Sequence, residues 1–201
     1  MASGTAQKIL EAAMDAFAES GFKATTTRDV AQRADVNLAS VSYHWRSKEG
    51  LWEEVIRVQN DRMMDTARQA MCNEEDPAAA VDGFLRAVVR RTLEDPRPLR
   101  IMAWASMRPN DADYAYASNA YKPAVQLGAM WLKMQQAAGR IDPKLDVELA
   151  LVTFYGLLAE PLLEPAVHRE LFGVDHTDPA HAKRLEDHIV YSALRLLGLG
   201  G

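Results

Sequence analysis

Apolar residues recur at helical spacing along almost the whole chain. Ile9, Leu10, Ala13, Met14 and Phe17 form one stripe, and Val30, Ala31 and Ala34 form a second, shorter one. Val41 and Trp45 stand four apart, one turn of helix. Leu51, Trp52, Val55, Ile56 and Val58 mark the next helix. Further helical patterns run at about 78–94, 98–108, 112–138, 144–168 and 179–198. No stretch alternates with the period of a strand. The pattern therefore predicts an all-α chain.

Punctuation sharpens the boundaries. Gly21 sits where a helix end favours a left-handed residue, with Phe22 able to fold back on the last turn. Thr26, with Asp29 three residues on, has the form of a capping box. Ala34-Asp35-Val36 reads as a turn, since aspartate visits left-handed backbone more easily than most residues. Asn37 and Ser47 are placed to cap the next two helices. Pro96, Pro98, Pro109, Pro143 and Pro179 fall at starts or between segments, whereas Pro161 and Pro165 lie inside one pattern and should kink or break it. Residues 73–77 form a break, and the Gly198-Leu199-Gly200-Gly201 tail is expected to fray.

Composition narrows the function. Apolar residues make up 48% and charged residues 25%, enough to bury a core. The single cysteine, Cys72, excludes an internal disulfide and fits a reducing compartment. Its acidic neighbours disfavour a reactive thiolate. There is no basic, then apolar leader at the start and no long uncharged apolar run, so a cytoplasmic protein is expected. The net charge is −5, yet Lys23, Arg28, Arg33, Arg46 and Lys48 outweigh Asp29 and Asp35 in one short segment. A basic patch on an acidic body is compatible with nucleic-acid binding.

That patch coincides with two short helices joined by a tight turn, a helix-turn-helix. In its second helix, roughly Leu38 to Trp45, Val41 and Trp45 face the core, leaving the other side chains outside. The small residues Ala39 and Ser40 allow close approach of the helix N-terminus, whose free N–H groups suit a phosphate. Ala39 or Leu38 can touch a thymine methyl, and Asn37 can bond adenine where capping leaves it free. Tyr43, His44 and Lys48 suit backbone phosphates, and Arg28 suits either a phosphate or a guanine edge.

Residues 9–56 resemble the DNA-binding domain of TetR-type repressors. The resemblance is carried by I-L-E-A-A-M-D-A-F-A-E-S-G-F, T-T-R-D-V-A-Q-R-A and V-N-L-A-S-V-S-Y-H-W-R-S-K-E-G-L. It implies DNA contacts at Thr27, Arg28, Leu38, Ala39, Ser40, Ser42, Tyr43, His44 and Lys48. Three positions depart from the family's pattern. Asp35 stands for the usual turn glycine, Ser42 for a usual tyrosine, and Trp45 for phenylalanine or a small apolar residue. The second departure leaves Ser42 and Tyr43 as alternative phosphate contacts, with Tyr43 favoured.

The resemblance further implies an N-terminal three-helix helix-turn-helix domain over residues 1–48, followed by a larger helical effector-binding and dimerisation domain over residues 49–201. The family's function is that of a homodimeric transcriptional regulator, usually a repressor released from a palindromic operator by a small molecule. Candidate pairing helices are about 146–165, apolar on more than one side, and 180–197. Candidate effector contacts are Met102, Trp104, Met107, Trp131, Met134, Phe154 and Tyr155, within a Met- and aromatic-rich middle that also holds Tyr114, Tyr121 and Met130. Their character suggests a hydrophobic or aromatic effector. His168, His176, His181 and His188 lack the compact spacing of a metal site, so no metal or cofactor is expected. No catalytic triad, carboxylate pair or phosphate loop suggests an enzyme.

Overall fold

The computed structural model describes residues 4–71 and 76–199. Cys72 and most of the break at 73–77 lie outside the described residues. The described chain forms ten helices and no strand: α1 (Gly4–Ala24), α2 (Thr27–Arg33), α3 (Leu38–His44), α4 (Lys48–Met71), α5 (Pro77–Glu94), α6 (Arg97–Ser106), α7 (Ala112–Ala137), α8 (Val147–Leu163), α9 (Pro165–Phe172) and α10 (Pro179–Leu196). The fold is all-helical, with a helix-turn-helix at the N-terminus.

Two compact units form. The first joins the chain up to Asp61 with Arg97–Lys122. Its core is the stripe of α1, with Ile9, Ala13, Met14 and Phe17 buried against Val30, Val41, Leu51, Trp52, Val55 and Ile56. From α6 and α7 come Ile101, Ala105 and Ala117. The ring of Trp52 meets Phe17 edge-on at 5.1 Å. Periodicity identified these apolar faces but not that α6 packs along α1.

The second unit comprises Arg62–Pro96 and the chain from Pro123 onward. Its core includes Val81 and Leu85 of α5, Trp131 and Leu132 of α7, Val147 of α8, and Val190, Ala193 and Leu197 around α10. An ion-pair cluster ties α5 to α10. The buried carboxylate of Glu186 accepts from Arg86 at 2.8 Å and twice from Arg90 at 2.9 Å.

The helix ends follow from local chemistry. Asp76, Asp146 and Asp178 each accept main-chain N–H bonds at an N-terminus, and Pro77, Pro165 and Pro179 open helices. The pattern at 144–168 is two helices, because Pro165 forbids continuation and leaves Glu164 non-helical at φ −120°, ψ 49°. Pro161 is accommodated inside α8, two residues from its end. Of the tail expected to fray, Gly198 and Leu199 are held, and Gly200 and Gly201 lie outside the described residues. Gly198 takes φ 73° while its N–H and that of Leu199 bond the carbonyls of Arg195 and Leu194.

Candidate nucleic-acid interface

The turn between α2 and α3 closes as the residues require. Asp35 takes φ 53°, its N–H bonds Gln32 O at 3.2 Å, and the Val36 N–H bonds Ala31 O at 3.0 Å. These two bonds satisfy carbonyls that the end of α2 would otherwise leave free. At the start of α2, Thr26 and Asp29 form the reciprocal capping box, and the bonds from Thr26 hold the Asp29 carboxyl below its ordinary pKa.

In α3 only Val41 is buried, and Trp45 packs partly against the core. The rest of the helix faces outward. Leu38 is 42% exposed and Tyr43 is 84% exposed, which leaves the Tyr43 hydroxyl in solvent. Asn37 spends its Oδ1 on capping, accepting from Ser40 N at 2.7 Å and from Ser40 Oγ at 3.0 Å. Ser42 donates to Leu38 O at 3.3 Å. Of the two alternatives for phosphate contact, Tyr43 is thus the side chain with no hydrogen bond among the described residues. Its ring stands edge-on to His44 at 5.1 Å. Ala39 is exposed and Ser40 half-buried, so the helix N-terminus carries nothing bulky beyond Leu38. Thr27 is half-buried and Arg28 exposed at the start of α2.

Lys48 lies differently from the expectation that it faces a phosphate. Its Nζ donates to the carbonyls of Phe22 at 2.9 Å and Thr25 at 3.0 Å, reaches that of Lys23 at 3.5 Å, and stands 4.3 Å over the Phe22 ring. The broken end of α1 explains this. Gly21, at φ 72° and ψ 173°, interrupts the helix and frees carbonyls there. Thr25 Oγ1 bonds two of them, Gly21 O at 2.8 Å and Ala16 O at 3.1 Å. Trp104 Nε1 takes Ala18 O at 3.2 Å. Lys48 takes those of Phe22 and Thr25. No spacing rule in the sequence signals such a partner.

Other cations of the segment are also engaged. Lys23 pairs with Asp111 at 2.7 Å, and Arg33 with Glu19 at 2.6 Å.

The profile of "Bacterial regulatory proteins, tetR family" matches residues 9–55, which carry α1 to the first turns of α4. Residues 9–55 thus carry a tetR-type helix-turn-helix segment. The curated relatives that it resembles are helix-turn-helix transcriptional regulators. A probable regulator of this type, YttP of Bacillus subtilis, is 41% identical over 56 residues, 28% of this chain and 27% of that protein. The repressor KstR2 of Mycolicibacterium smegmatis is 27% identical over 145 residues, 71% of this chain and 70% of that one. The crystal structure of FadR from Bacillus subtilis in complex with stearoyl-CoA superposes with TM-score 0.75 at 14% identity, covering 96% of this chain and 98% of that one. The likeness of fold therefore extends across the second unit as well.

The expected effector residues are divided between the two units. In the first, Met102 packs on the core, Trp104 is bonded to α1, and Met107 is 70% exposed. In the second, Trp131 is buried with its Nε1 unpartnered, Phe154 packs beside that core, and Met134 and Tyr155 are half-exposed. A groove of about 890 Å³ runs instead between α8 and α10, floored by Leu157, Pro161 and Leu185 and edged by His168, His176, His181, Arg184 and His188. Beside it Leu149, Val152, Tyr155 and Tyr191 are all more than half exposed. Among the described residues no three His, Cys, Asp or Glu stand where they could share a metal ion, and no helix is long and apolar enough to cross a membrane.

Proposed function

We propose that this regulator is a repressor that reads a palindromic operator as a homodimer and leaves it when a small apolar molecule binds. Residues 1–48 carry the reading and residues 49–201 the pairing and effector binding. The observation that carries the proposal is the division of α3. One buried valine anchors it, and a polar face with a solvent-facing Tyr43 and an adjoining His44 is presented outward. Ala39 or Leu38 reads thymine methyls, while Thr27, Ser40, Tyr43, His44 and the free α3 amides position the helix on phosphates.

Pairing is supported by the apolar surface on α8 and α10, where Leu149, Val152 and Tyr191 stand in solvent beside the open groove. A surface of this kind is stabilised when a second copy covers it. Two-fold pairing places two α3 helices on half-sites about 10 base pairs, or a multiple, apart. The effector site is placed at the Trp131, Met134, Phe154 and Tyr155 end of the second unit, where the unpartnered Trp131 Nε1 offers one directional bond in apolar surroundings. That FadR holds stearoyl-CoA supports an apolar ligand. The ligand acts by binding two dimer shapes unequally, favouring a spacing that misses successive major grooves.

Selection of bound duplexes from a random-sequence library tests the reading. An enriched palindrome, lost with His44→Ala and with the pairing-face variant Val152→Lys, supports it. No enrichment contradicts sequence reading, and enrichment unaffected by Val152→Lys in a chain that sediments as a monomer contradicts pairing.

A further inference from the structure

The cations around α3 fall into two groups. Lys23 and Arg33 are tied to Asp111 and Glu19, and Lys48 donates to main-chain carbonyls of Phe22 and Thr25 while lying over the Phe22 ring. Arg28 and Arg46 make no hydrogen bond or ion pair among the described residues, and both are exposed. For Arg46 this includes Glu49, three residues on, a spacing at which helical ion pairs commonly form.

Backbone geometry fixes which way Arg46 stands. The chain leaves α3 through Trp45 in an extended conformation, φ −133° and ψ 116°. Successive side chains of extended backbone point to opposite sides. Trp45 packs against the core, so Arg46 is directed outward, just beyond the exposed Tyr43 and the half-buried His44. Arg28 stands at the other margin of the reading unit, in the first turn of α2. An exposed cation with no partner among the described residues loses little on meeting a phosphate. Lys48 would have to give up its carbonyls, leaving them unsatisfied at the half-buried end of α1.

Resting on the DNA-reading proposal above, we propose that Arg46 is a phosphate-binding residue of this protein and that Lys48 is a positioning residue, holding the end of α1 against the start of α4 from inside. The guanidinium of Arg46 forms paired N–H bonds to phosphate oxygens. Lys48 sets the register of the frame on which α3 is carried and adds no counterion of its own.

Salt dependence separates these roles. Each phosphate neutralised contributes about 0.9 to the slope of log affinity against log salt. Anisotropy titrations use a duplex selected by the wild-type protein, with Arg46→Gln and Lys48→Met and a thermal melt of each variant. Arg46→Gln is expected to flatten the slope by about 0.9 for each chain bound, with an unchanged melting temperature. Lys48→Met is expected to keep the wild-type slope, to melt lower and to bind about tenfold more weakly at every salt concentration, as loss of a positioning contact does. An unchanged slope in Arg46→Gln overturns the first assignment. A slope flattened by Lys48→Met with no change in melting overturns the second. If Lys48→Met does not fold, Lys48→Arg gives the same reading, since it keeps the charge but not the compact ammonium between the carbonyls. If wild type itself shows no salt-steep preference for the selected duplex, the DNA-reading proposal fails, and this one with it.

Discussion

Trp104 lies across Gly21. A Cβ at the glycine would stand 3.3 Å from both Cβ and Cγ of the tryptophan, and the glycine holds φ at 72°. The two residues join α6 to the interrupted end of α1, where the indole N–H also caps Ala18 O. Gly21→Ala combines a left-handed backbone cost with this crowding and is expected to destabilise the protein by about 1–3 kcal/mol. Urea denaturation measures it. A change within experimental error would mean that the break in α1 relaxes without penalty.

Asp35 offers the opposite case. It holds φ 53° on an exposed turn, and its main-chain bonds do not depend on its side chain. Asp35→Gly is expected to stabilise by up to about 1 kcal/mol, since glycine adopts this region without a Cβ penalty. Operator affinity should not change. A lower melting temperature would show that the aspartate side chain supports the turn.

Acid sensitivity should trace to Glu186. Hydrogen bonds from Arg90 and then Arg86 hold its carboxyl at about 2, against an ordinary 4.5. Because the folded value is the lower one, this stability is fully present above about pH 4.5 and is lost as pH falls through about 2. Glu186→Gln is expected to cost about 1–3 kcal/mol near neutral pH and to flatten that acid limb. Urea midpoints across the acid range check both effects.

A second titration belongs to His176. Burial lowers its pKa from 6.5, helped by His168 and His181 and opposed by Asp175 and Glu160, and neither ring nitrogen has a hydrogen-bond partner among the described residues. The fold thus favours the neutral ring, and stability falls as pH drops below about 6.5, where the unfolded chain takes up the proton first. His176→Leu is expected to remove that loss and to be no less stable under mildly alkaline conditions. A steeper decline in the variant would contradict the assignment.

Much of this was legible in the sequence because the deciding signals are local. The capping box of Thr26 and Asp29, the Asn37 cap, the left-handed Asp35 and the break at Gly21 each depend on residues within a few positions, and each is found. Burial of Val41 followed from helical spacing. Long-range partners did not follow. Lys48 reads as a surface cation until the broken end of α1 presents carbonyls to it from 23 to 26 residues away. Trp104 reads as a pocket wall until α6 is seen to lie on α1. Aromatic and methionine content likewise could not say which unit each side chain would join, and the groove between α8 and α10 arises from packing alone.

The central claim is that this chain reads DNA sequence through α3. Fluorescence anisotropy on the duplex upstream of its own coding region, against a scrambled duplex and across a salt series, tests it most directly. The account predicts salt-steep binding with at least about 10³-fold preference for the native sequence. Equal, weak binding to both duplexes, together with no enrichment from the random library, would contradict it.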